Sequence, residues 1–165
     1  MLLDAQLGSP CNRDGGLCPA ADTCEAGETL VRRCEDTLRK AGLRPTQQRQ
    51  QLSRILFGNG DCHITADALY AAAVASGMKI SQATIYNTLN QFVELGLLRQ
   101  IGVDGSRSFF DTNTTVHPHF YLHGDDILID VPETLVLDQM PEALPGHEIS
   151  RLDIIIHIRR KPAVT

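Results

Sequence analysis

The 165-residue sequence predicts an α+β protein, with a helical N-terminal domain closed by a β-hairpin and a small α/β domain after it. Three observations carry that expectation. Apolar residues recur at helical spacing between 29 and 95, an Asp104-Gly105 turn joins two extended runs, and short β-branched stretches take over beyond 112. The expected boundaries are 1–28 for a flexible arm, 29–111 for the helical domain with its hairpin, and 112–165 for the strand-rich domain.

The arm is rich in Gly and Pro (Gly8, Pro10, Gly15, Gly16, Pro19, Gly27) and poor in large apolar groups. From Thr29 onward, Leu30, Cys34, Leu38 and Ala41 repeat at three and four residues, which predicts a helix over 29–41 that Gly42 stops. Pro45 and Thr46 open a second helix, whose apolar face is Leu52, Ile55, Leu56 and Phe57 and whose end is marked by Gly58 and Gly60. A third starts at Thr65 and runs along Ala68, Leu69, Ala72 and Ala73 to Ser76-Gly77. Ser81 caps a fourth. It places Ile85, Leu89, Phe92, Val93 and Leu95 on one side and Gln82, Thr84, Tyr86, Asn87, Asn90 and Gln91 on much of the other, until Gly96.

That second side is polar but uncharged, so it can hydrogen-bond base edges and meet thymine methyls without like-charge crowding. Leu97–Val103 and Ser106–Asp111 flank the Asp104-Gly105 turn as a two-stranded hairpin. Helices closed by a hairpin are the pattern of a winged helix, in which the helix after the turn enters the major groove and a hairpin cation reaches a phosphate. Gln82, Thr84, Tyr86, Asn87 and Arg107 are therefore the candidate DNA-contacting residues.

Beyond 112, His119–Leu122, Ile127–Val131 and Ile149–Ile158 are expected strands, and Pro132–Met140 an expected helix opened by proline. Three strands and one helix cannot cover both faces of a sheet. A second copy of the chain is the expected cover, and a homodimer suits a palindromic site on double-stranded DNA.

A hydrophobic content of 42% with 21% charged residues fits a globular protein, and no apolar run is long enough to span a membrane. Leu2 and Leu3 are followed at once by Asp4, which is unlike a secretory leader, so a cytoplasmic location is expected. The net charge of −5 is spread unevenly: −4 over residues 1–29, +3 over 30–111 and −4 over 112–165. A basic middle between acidic ends suits a lobe that meets phosphate joined to a lobe with another task. Cys11, Cys18, Cys24, Cys34 and Cys62 contain no C-x-x-C pair, and reduced thiols are expected. Cys18-Pro19 could offer a thiolate to haem iron.

Three of the six histidines, His117, His119 and His123, lie within seven residues at the junction of the two domains. His117 and His119 share one side of an extended chain, where both could hold one metal ion. His63 at the entrance of the third helix, Asp111 at the end of the hairpin and Asp130 at the end of a strand complete a plausible shell. Three imidazoles and two carboxylates suit Fe(II), Mn(II) or Zn(II). An ion held from both domains would fix the angle between them and so act as a switch. His147 and His157 have no evident partners in the sequence. The competing enzyme reading, a small non-haem metal enzyme built on an H-x-H strand, fits poorly with a chain that spends 29–95 on helices.

Ala41-Gly-Leu-Arg-Pro-Thr-Gln-Gln-Arg49, His63-Ile-Thr-Ala-Asp-Ala-Leu-Tyr70 and Ala83-Thr-Ile-Tyr-Asn-Thr-Leu-Asn-Gln91 resemble the ferric uptake regulator (Fur) family, and the likeness continues through Gly96-Leu-Leu and His117-Pro-His119. The resemblance implies a homodimeric, metal-responsive transcription regulator with an N-terminal winged helix and a C-terminal dimerisation domain. By position, its regulatory metal site falls on His63, Asp111, His117, His119 and Asp130. The Cys pairs that hold structural zinc in many members are missing, with Leu122 and Asp125 at the first pair. Pro118, where an Asp usually stands in the family's second histidine-rich site, together with Gly-Leu-Leu-Arg-Gln at 96–100, Phe-Asp-Thr-Asn at 110–113 and Tyr-Asn-Thr-Leu-Asn-Gln at 86–91, is most similar to the iron response regulator (Irr) branch. That branch senses haem, for which His117, His119 and Cys18 are the candidate ligands, and represses iron- and haem-homeostasis genes. The peroxide-sensing PerR branch, with two Asp and three His around its ion, is the alternative.

Overall fold

Four helices converge on one apolar centre in the first part of the chain. The computed structural model describes residues 24–58, 60–105, 107–132, 135 and 138–161, with side chains from 28 onward. The chain divides into two compact units, the first ending at Thr114 and the second beginning at Thr115.

The first unit runs α1 (Cys24–Lys40), α2 (Gln47–Phe57), β1 (His63–Ile64), α3 (Ala66–Ala75), α4 (Gln82–Glu94), β2 (Arg99–Asp104) and β3 (Arg107–Asp111). Leu38, Leu52, Leu56, Leu69, Ile85, Leu89 and Phe92 are fully buried together, which is the apolar set expected for the four helices. Thr46, Thr65 and Ser81 cap α2, α3 and α4, each accepting a backbone N–H three residues on. The other ends of α1, α3 and α4 share one device. Gly42, Gly77 and Gly96 take a left-handed conformation, and the next residue (Leu43, Met78 or Leu97) donates its N–H back to Leu38, Ala73 or Phe92.

Several expectations need correction. The first helix starts at Cys24 rather than Thr29, inside the expected arm, because Glu25, Ala26 and Glu28 are strong helix formers and outweigh Gly27. Residues 1–23, with Cys11 and Cys18, lie outside the described residues. Leu95 is exposed, because it is the residue on which α4 ends rather than part of the buried stripe. The hairpin turn sits one residue later than expected. A bulge between Gly102 and Asp104 shifts the register, so Asp104 pairs with Arg107. A two-residue strand, β1, also adds to the hairpin, giving the order β1-β3-β2.

The second unit contains β4 (His119–Leu122), β5 (Ile127–Asp130) and β6 (Ile155–Ile158), in the order β5-β4-β6. β4 pairs antiparallel with β5 and parallel with β6. The expected strand over 149–158 is only four residues long. Its partner β4 is itself four residues long, and Pro118 just before it has no N–H to extend the ladder. The expected helix over Pro132–Met140 is not present among its described residues, and four of its positions lie outside them. Of its described residues, Leu135 and Met140 are exposed, so neither supplies the packing a short helix needs. Among the described residues, no helix is long and apolar enough to cross a membrane.

Candidate metal ligands and nucleic-acid face

In the first unit, β1 and β3 place His63 directly opposite Asp111. Both side chains are nearly inaccessible, and His63 Nε2 lies 3.5 Å from Asp111 Oδ2. Two contacts hold this pair in place. Thr112 Oγ1 accepts the Cys62 N–H at 2.8 Å while the Thr112 N–H returns to the Cys62 carbonyl at 3.1 Å, tying the start of β1 to the end of β3. The Asn113 N–H donates to Asp111 Oδ1 at 2.8 Å. The other cross-strand neighbour of Asp111 is the buried Arg99. β1 could not be read from the sequence, because two residues show no alternation.

The second unit holds a trio. His119 opens β4 opposite Asp130 at the end of β5, so register alone brings them together. Asp130 Oδ1 lies 2.9 Å from His117 Nε2 and 3.5 Å from His119 Nε2. The two rings are 4.3 Å apart, centroid to centroid. Donor atoms of the three residues all lie within 4.8 Å of one another. His119 is buried, His117 is partly exposed, and its Nδ1 contacts the Thr115 carbonyl at 3.0 Å. A trio of two imidazoles and one carboxylate is a competent partial shell for a borderline divalent ion. His123 is not part of it.

The polar side of α4 is arranged much as the sequence suggests. Gln82, Tyr86 and Asn87 are exposed, and Tyr86 is among the large apolar side chains that stand out into solvent. Thr84 is half-buried, with its hydroxyl 2.9 Å from that of Ser81. Arg107 is exposed at the start of β3. A groove of about 610 Å³ separates the start of α2 from α4, bordered by Thr46, Gln48, Arg49, Asn87, Asn90 and Gln91. Arg49 was missed in the sequence. It donates to Gln91 Oε1 at 2.8 Å and to the Arg44 carbonyl at 3.0 Å, so the guanidinium is held at the groove wall. Cys34 and Cys62 are buried thiols outside any disulfide.

The ferric uptake regulator family model matches residues 40–156. A peroxide-responsive repressor PerR from Staphylococcus aureus is 42% identical over 116 residues, covering 69% of this chain and 78% of that protein. Among solved structures, the Vibrio cholerae ferric uptake regulator superposes with a TM-score of 0.60 at 21% identity, over 76% of this chain and 98% of that one. The Pseudomonas aeruginosa regulator with manganese gives 0.57 at 23% identity, over 78% and 98%.

Proposed function

We propose that this chain, which belongs to the ferric uptake regulator family, is a dimeric winged-helix repressor whose affinity for DNA is set by one divalent cation. Members of the family are transcription regulators rather than enzymes, which removes the metal-enzyme alternative. They respond to metal and bind DNA as dimers. The observation that carries the reading is the split donor set. His63 and Asp111 make a pair, and His117, His119 and Asp130 make a trio, neither of which fills a shell of at least four ligands by itself. Both halves closing on one Fe(II), Mn(II) or Zn(II) would satisfy the ion. The bound ion then supplies a cross-link between the two units, so metal occupancy selects the arrangement that fits an operator.

On the DNA side, Gln82, Thr84, Tyr86 and Asn87 read the major groove of a palindromic site while Arg107 meets a phosphate. The dimer has a surface to form on. Phe120, Leu122, Ile127, Ile129, Ile156 and Ile158 share one face of the β5-β4-β6 sheet, and none of them is fully buried. A second copy covering that face accounts for its composition. We place the protein in the cytoplasm, in the Irr-like role of repressing iron- and haem-homeostasis genes, a role supported by Pro118 and by the blocks at 86–91, 96–100 and 110–113.

A PerR-like role is favoured by the 42% identical relative and by the two carboxylates in the donor set. The haem ligands proposed for the Irr role are His117, His119 and Cys18; of these, His119 is only 1% exposed and His117 is the more open. Two measurements separate the roles. Haemin titration giving a Soret band that is lost in His117→Ala supports haem sensing. A gain of one oxygen on His63 or His117, after the Fe(II) form meets peroxide, supports the PerR role instead. His119→Ala should abolish the metal dependence of operator binding while leaving the helical content intact. Metal-dependent binding that survives in that variant refutes the shared ion.

A further inference from the structure

Two histidines outside the trio, His123 and His157, are brought together by the sheet. His157 lies on β6 beside Tyr121 of β4, and His123 extends β4, its N–H donating to the Ile158 carbonyl at 2.9 Å. Although 34 residues apart, the two imidazoles meet with His123 Nε2 2.9 Å from His157 Nδ1. Their ring centroids are 5.0 Å apart. Tyr121 fixes both from beneath, its ring edge-on to His123 at 4.9 Å and to His157 at 5.6 Å. That tyrosine is itself anchored, donating to Asp126 Oδ1 at 2.8 Å.

We propose that His123 and His157 form a second metal site, a two-imidazole chelate that takes a tetragonal divalent ion of the Cu(II) or Ni(II) class. The argument is geometric. Two nitrogens bound at about 2.0–2.1 Å stand about 2.9 Å apart when the angle at the metal is a right angle, and about 3.3 Å apart when it is tetrahedral. The observed 2.9 Å already lies within the bite of such a chelate, and a right-angle ion of the square-planar or tetragonal kind needs the least change in nitrogen spacing. A small rotation of each ring turns the two lone pairs from one another toward a common point. Without metal, the same contact is an N–H···N hydrogen bond, so the pair is already assembled. It also remains reachable, because His157 is exposed and His123 only half-buried, although Tyr121 beneath them is buried. The remaining coordination positions open to solvent, as His157 is exposed.

The test uses the full chain carrying His119→Ala and Asp130→Ala, so that the trio is disabled and failure of the regulatory reading cannot be mistaken for failure of this one. Buffered Cu(II) is the probe. The chain has no Trp and three Tyr, so quenching of tyrosine emission reports an ion placed against Tyr121. Electron paramagnetic resonance reports the nitrogens. The expected result is one Cu(II) per chain with an axial signal coupled to two nitrogens. His123→Gln and His157→Gln should each weaken its affinity by about tenfold or more, because each removes a donor already held beside the other. Far-UV circular dichroism confirms that both variants remain folded. Loss in only one variant, or in neither, or a signal without two-nitrogen coupling, overturns the site.

Discussion

Asp130→Ala separates what the carboxylate does for the fold from what it does for an ion. Its oxygen sits 2.9 Å from His117 and 3.5 Å from His119, but 41% of the side chain faces solvent. A pair that exposed contributes about 0.5 kcal/mol after screening, which for a chain of this size lowers the metal-free melting temperature by about 1–2 °C. With Mn(II) at about 100 times its dissociation constant, the wild-type chain gains about 2.7 kcal/mol, or about 5–11 °C. If removing a direct ligand weakens binding about 100-fold, the same Mn(II) concentration adds only about 0.4 kcal/mol, or about 1 °C. Mn(II) is the right probe because two surface imidazoles alone serve so hard an ion poorly. Scanning calorimetry of both proteins with and without the ion measures all four values. A variant that keeps the full Mn(II) shift would show that Asp130 is no ligand, and the shared-ion reasoning would fail with it.

Other expectations are simpler. Tyr86→Ala should leave stability within about 0.5 kcal/mol and change sequence preference by about 1–3 kcal/mol at one base step, read from binding curves on a panel of operators. Arg107→Ala should weaken binding to all duplexes alike and reduce the salt slope by about one, so a sequence-selective loss would contradict a phosphate role. Thr65→Ala removes the oxygen that accepts the Ala68 N–H and should cost about 1 kcal/mol in urea unfolding. Burial pushes the Cys34 thiol above its ordinary value, with Arg54 and Arg33 only partly opposing it. The folded state therefore holds that proton more tightly than the unfolded one. Stability of the wild type relative to Cys34→Ala should decline once pH rises past the ordinary thiol value of about 8.5, and a gap constant with pH would refute the shift.

Local signals carried most of the first unit. Thr46, Thr65 and Ser81 announce their helices because a capping oxygen acts three residues away, within the reach of a short sequence window. β4 was legible for a similar reason, as His119–Leu122 lies between Pro118 and the Gly124 turn. Features set by pairing were not. β1 exists only because Thr112 and Cys62 tie it to β3, and β6 is shortened by the length of a partner more than thirty residues away. The five candidate ligands were named from the sequence, but the pairing of His63 with Asp111 rests on a strand no pattern revealed. His157 showed no partner in sequence because its partner arrives through a parallel pairing, where register depends on a long connection rather than a turn.

The partly covered sheet face of Phe120, Leu122, Ile127, Ile129, Ile156 and Ile158 makes dilution a variable in its own right. If the proposed dimer forms on this face, a subunit separated from its twin leaves six apolar side chains only partly shielded from water, so melting behaviour should drift downward as the sample is thinned. A cell that makes little of this regulator would then hold it in a more fragile state than one that makes much, and abundance itself would decide how long each molecule lasts.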